Sequence, residues 1–147
     1  MFIFFTVALL LTLGVAIVGW FRPVPPKGPV YTSQQVADAK AKVCTAVDQV
    51  RIAVELTGSR DRGSDYTTQL ASAVNARQAF IAGSQYLSAI LADHPATPAE
   101  IANDVRVLVS ADQFLAVNLM AEKPDSELSG PIHASDDALS NLEKLCK

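Results

Sequence analysis

Few residues of this chain are equipped for chemistry: Cys44 and Cys146, His94 and His133, the acidic pair Asp136-Asp137, and two charges on otherwise apolar helical stripes, Arg77 and Asp112. The histidines fall in segments read as loops, with no Cys, His or carboxylate at ligand spacing, so no zinc or haem motif is formed. There is no Gly-rich phosphate loop, no G-x-S-x-G elbow and no H-E-x-x-H helix. Asp136-Asp137 falls in the first turn of the last expected helix, where carboxylates meet the positive end of the helix dipole. No catalytic, cofactor-binding or metal-binding residue is therefore assigned, no cofactor is expected, and the chain reads as a protein that is not an enzyme.

The cysteines carry the clearest chemistry. Both lie near the ends of the charged part of the chain, as expected of a bridge joining first and last elements in an oxidising compartment. Two unpaired buried thiols are the alternative, since free Cys also serves as a small core residue.

The elements that position these residues live in two solvents. Of the first 21 residues only Thr6, Thr12, Gly14 and Gly19 are neither apolar nor aromatic, and all 12 basic and 15 acidic residues follow Phe21. As a helix, residues 1–21 are long enough to cross a hydrocarbon core of about 30 Å. Bulky residues at Ile17-Val18-Gly19-Trp20-Phe21 leave no small-x-small cleavage site, so an uncleaved anchor is expected, with Trp20, Phe21 and Arg22 at the interface. Ala8, Thr12, Ala16 and Gly19 form a small-residue seam suited to packing against another membrane helix, although a purely lipid-facing anchor has the same composition.

Two signals oppose each other on orientation. Arg22 and Lys27 follow the helix with no base before it, which favours a cytoplasmic C-terminal domain; the cysteines favour the opposite side. Two bases are a weak signal, so the expectation adopted is a single-pass protein of the cell inner membrane with its C-terminal domain extracytoplasmic, in a periplasm-like space. The net charge of −3 and the scattered Lys and Arg offer no basic stripe, so nucleic acid is not an expected partner.

Beyond the anchor, Pro23, Pro25, Pro26 and Pro29 make residues 22–30 a semi-rigid spacer. The rest reads as helical. Thr32 and Gln35 form a capping box, with Tyr31 and Val36 as its hydrophobic staple, and Val36, Ala39, Val43, Val47, Val50 and Val54 share one face up to a stop at Gly58. A second helix is expected from about Asp65 to Leu91, with Tyr66, Leu70, Ala73, Phe80, Leu87 and Leu91 inward. Thr97-Pro98-Ala99-Glu100 supplies an N-cap, a first-turn Pro and a capping-box Glu for a third, with Ile101, Val105, Leu108, Leu115 and Leu119 inward. Gly130-Pro131 leaves a fourth helix reliable only from Ile132 or Ser135 to Cys146. The fold class expected is all-α: an N-terminal transmembrane helix over 1–21, a Pro-rich linker over 22–30 and an antiparallel up-down-up-down four-helix bundle over 31–147.

Register follows from the hairpins. A turn between Leu91 and Pro98 sets Arg77 level with Asp112, and the two are expected to form a structural ion pair, because an unpaired charge there would be costly. A first hairpin closing near Gly58 sets Cys44 level with about residue 78, and a Cys44–Cys146 bridge then requires the last helix to begin near Ala134, with 123–131 looped.

The Pro-rich exit from the first segment, Tyr31-Thr32, Ala39-Lys40, Val43-Cys44, Asn75-Ala76-Arg77, Pro98-Ala99-Glu100 and the closing Leu145-Cys146-Lys147 together resemble the alanine-rich single-pass membrane proteins of unknown function common in actinobacteria, especially mycobacteria. That resemblance covers nearly the whole chain. It implies an envelope location and paired cysteines, and it brings no activity.

The function expected is an accessory or scaffold subunit of a larger cell-envelope or inner-membrane complex, with the membrane and other membrane-protein subunits as partners. The alternative is a tethered bundle that binds lipid or a small ligand. Alanine at positions 39, 46, 53, 73, 76 and 79 brings helices close and disfavours a small-molecule cavity.

Overall fold

The computed structural model describes residues 29–59 and 64–147. The expected membrane helix, its seam of Ala8, Thr12, Ala16 and Gly19, and most of the Pro-rich linker lie outside the described residues, as do Arg60 to Gly63. Among the described residues the elements are four α-helices and no strand: α1 (Ser33–Ser59), α2 (Tyr66–Asp93), α3 (Ala99–Met120) and α4 (Asp125–Leu145). No helix among them is long and apolar enough to cross a membrane.

Local chemistry sets the first two starts. The Gln35 amide donates to Thr32 Oγ1 at 3.2 Å and the Thr32 amide to Gln35 Oε1 at 2.8 Å, a reciprocal pairing that satisfies two donors the helix cannot satisfy itself. Asp65 caps α2 by accepting from the Thr68 amide at 2.9 Å. Thr97 behaves differently from expectation. Its hydroxyl donates to the His94 carbonyl at 2.6 Å and closes the turn, so the N-cap position of α3 falls to Pro98, which has no side-chain cap bond.

The end of α3 explains why α4 starts early. Lys123 N–H donates to the Asn118 carbonyl and Glu122 N–H to that of Leu119, with Glu122 at φ 53°, a left-handed C-terminal motif that reverses the chain within two residues. The expected loop over 123–131 does not form. The helix runs straight through Gly130 and Pro131, whose missing N–H costs one backbone bond near the helix start. Asp125 and Glu127 in the first turn and the buried Leu128 hold that turn in place.

Each helix packs along the next, while α1 and α4 meet only sparsely. The core is gathered toward one end: Val43, Ala46, Val47 and Val50 of α1, Leu87 of α2, Ile101, Val105 and Leu108 of α3, and Ala138 and Leu142 of α4. At Gly83 the first pair approaches closely, since a Cβ built there would lie 2.7 Å from Val50 Cγ1. Tyr86 Oη donates to Gln49 Oε1 nearby, at 3.1 Å.

These contacts fix a register different from the expected one. With Gln49 beside Tyr86 and Val50 beside Gly83, Cys44 stands level with about residue 90, some three turns from the position a turn at Gly58 implies. The first turns of α2 consequently overhang the end of α1. Tyr66 and Leu70, expected inward, are exposed at 78% and 46%.

Cys44 and Cys146 form a disulfide, with Cα atoms 5.6 Å apart. It forms even though α4 begins at Asp125, because the shift in the first hairpin offsets the early start of the last helix. With a sequence separation of 102, replacing both cysteines by serine is expected to lower the unfolding free energy by about 4 to 5 kcal/mol in the chain-entropy model, read by urea denaturation. A loss below about 1 kcal/mol would mean that packing alone closes α1 on α4. Glu122→Gly, which relieves the left-handed residue, is expected to raise stability by about 0.5 kcal/mol, whereas Glu122→Ala brings no gain.

Candidate functional site

Sparse contact between α1 and α4 leaves a groove along that seam. It has a volume of about 360 Å³ and draws walls from all four helices, including Val50 and Val54 of α1, Phe80 of α2, Leu108 and Leu115 of α3, and Ile132 and Leu139 of α4. Glu55, Asp136 and Glu143 line it as acids and Arg51 as a base. Alanine packing does not fill it. Ala39, Ala46, Ala102 and Ala138 are buried but none of them lines the groove, which lies between helices that barely touch.

Asp112 lines the groove and is only 2% exposed. Its Oδ1 accepts from Ser135 Oγ at 2.9 Å. Arg77 is not its partner. Among the described residues no ion pair joins Arg77 to Asp112, and Arg77 lines a different cavity, with Tyr66, Leu70 and Leu119. The reason is register: Phe80, one turn further on, shares the groove with Asp112, and the early start of α4 brings Ser135 opposite it. Ser135 lies between Leu128 and Leu142 at seven-residue spacing, so a helix begun at Asp125 would have marked it as a polar residue on a core face.

Burial raises the Asp112 carboxyl to about 6 from its usual 3.8, with the Ser135 hydroxyl pulling weakly in the other direction. No buried side-chain nitrogen or oxygen among the described residues lacks a partner, so the second carboxylate oxygen, which accepts from nothing, keeps access to the groove. Arg51 is committed elsewhere: Nη2 donates to Asp48 at 2.6 Å and Nη1 to Glu55 at 2.8 Å, which raises its pKa further.

The remaining residues singled out by sequence are dispersed. Asp136 and Asp137 stand in the middle of α4 and not in its first turn, so the helix dipole does not explain them; Asp136 lines the groove. His94 is the C-cap of α2, its N–H donating to the Ile90 carbonyl, and His133 is exposed on α4 and not in a loop. Among the described residues no three of His, Cys, Asp and Glu converge as metal ligands.

The Asp112 environment makes stability depend on pH. Between about pH 4 and pH 6 the folded state holds more protons on this group than the unfolded chain does, so the contribution is complete below pH 3.8 and is lost as pH rises through about 6. Asp112→Asn, which cannot ionise, is expected to gain on the native chain between pH 4 and pH 7.5 by at most about 3 kcal/mol in urea denaturation. A difference that stays constant with pH would contradict burial of the carboxylate.

No protein-family model, no curated protein and no solved structure matches this chain, so its function is argued from its own residues.

Proposed function

We propose that this chain is a non-enzymatic accessory or scaffold subunit of a larger cell-envelope or inner-membrane complex. In this reading residues 1–21 are a single-pass anchor, and the helical unit is an antiparallel up-down-up-down bundle held outside the cytoplasm. The apolar composition of residues 1–21 supports the anchor, and the paired cysteines support the oxidising side. Its resemblance to actinobacterial alanine-rich membrane proteins agrees with an envelope setting.

One observation carries the docking role. At the end remote from the disulfide, Tyr66, Leu70 and Val74 run down α2 at four-residue spacing, all exposed, and Phe114, Val117 and Met120 follow on α3 at three-residue spacing, each more than half exposed. Single exposed apolar residues are ordinary, but two regular stripes of large ones at one end of a small unit are the surface a partner covers. The partner that fits is another membrane-protein subunit.

The test is gentle extraction of the full-length chain followed by native mass analysis. The expected result is a stable complex much heavier than the 15.7 kDa chain. Leu70→Asp with Val117→Asp is expected to release the chain from that complex while changing its stability by less than about 1 kcal/mol, because both side chains are exposed. Recovery of a monomer, or a complex indifferent to the double substitution, would overturn the docking role.

A further inference from the structure

Independently of the docking stripes, we infer that the groove between α1 and α4 binds a small amphiphilic amine, its ammonium on the free oxygen of Asp112 and its apolar body along Phe80, Leu115 and Leu139.

Three observations select this chemistry. First, Asp112 sits at 2% exposure with one oxygen tied to Ser135 and the other opening on the groove without a protein donor. A buried carboxylate is held most favourably by a charged hydrogen-bond donor. Second, no group among the described residues supplies that donor. From α1, Arg51 is clamped between Asp48 and Glu55, and the groove-lining residues of α2, α3 and α4 include no base. Third, the charges that face the groove are acidic: Glu55 from α1 and Asp136 and Glu143 from α4 outnumber Arg51. An anion would be repelled by Asp112 and its acidic surroundings, and a neutral ligand would leave the carboxylate short of a cationic partner.

The walls and the size limit the rest of the ligand. Phe80, Leu108, Leu115 and Leu139 offer aromatic and aliphatic surface, and a volume of about 360 Å³ stands at the small end of ligand pockets. A one-ring or short-chain body fits better than a two-chain lipid.

The experiment titrates the full-length chain, kept in solution with a non-ionic detergent, with 2-phenylethylamine, 2-phenylethanol and 3-phenylpropionate. These share an apolar body and differ in the head group. Methyl NMR of Leu, Val and Ile reports where each binds and how tightly. The amine is expected to bind about tenfold or more tightly than the alcohol, the carboxylate not at all, with shifts at Leu108, Leu115 and Leu139. Asp112→Asn keeps the size of the side chain and is expected to erase the preference for amine over alcohol; Ile132→Trp, which narrows the groove at a partly exposed wall, is expected to weaken both. Equal binding of amine and alcohol, shifts confined to other methyls, or a preference that survives Asp112→Asn would each overturn the assignment. The site map in the unsubstituted chain decides the matter even if Asp112→Asn does not fold, and loss of the docking stripes leaves this result untouched.

Discussion

The structure depends on a covalent tie between two helices that otherwise barely touch. Consecutive helices cover one another by packing, which short connections make easy, but α1 and α4 are the first and last helices of the described residues and meet only sparsely. The Cys44–Cys146 bridge joins them where the core is densest, beside Val43, Val47 and Leu142. One end of the unit is thus closed by both sulfur and apolar burial. The other end has no bridge; its burial is limited to residues such as Leu115, Ala116 and Leu128, and it carries the exposed stripes, while the groove runs from the core residues Val50 and Leu108 towards it.

Asp112 stands at the border between these two ends. Towards the bridge its α3 neighbours Val105 and Leu108 are almost wholly buried in the core; away from it Leu115 and Ala116 stay buried on the same face while Phe114, Val117 and Met120 on another face point outward. A carboxylate at that point opposes tight closure of α1 on α4, since completing an apolar core around it would require protonation or a charged partner. The Ser135 hydroxyl satisfies one oxygen and leaves the second for whatever occupies the seam. The polar residue that weakens the fold is therefore also the one that gives the groove its chemical preference.

What the sequence made legible was local. The capping box of Thr32 and Gln35 involves residues three apart, and the inward stripe of α1 follows from its own periodicity. What it hid was register. Nothing near Gly58 announces that α2 overhangs α1; that offset comes from Gly83 admitting Val50 and from Tyr86 reaching Gln49, contacts across more than 30 residues. The pairing of Arg77 with Asp112 failed for the same reason, by about one turn. The looped reading of 123–131 failed because Gly130-Pro131 looks like a break, while the stop of α3 at Glu122 and the burial of Leu128 outweigh it. The cysteine pairing survived these errors because two cysteines near the ends of the charged part of the chain point to a bridge without any register.

Alanine content shows how much a composition leaves open about a cavity. Small residues let helices come close, and Ala39, Ala46, Ala102, Ala111, Ala116 and Ala138 are buried here. Closeness between consecutive helices says nothing about the pair that is not consecutive. In a four-helix unit whose first and last members are held by one bond, tight packing along three seams leaves the fourth to be set by the length of α2, the start of α4 and the placement of the bridge. A cavity of about 360 Å³ is then compatible with an alanine-rich chain. What decides whether that cavity recognises anything is the residue at its floor, and here that residue is a carboxylate with one oxygen to spare.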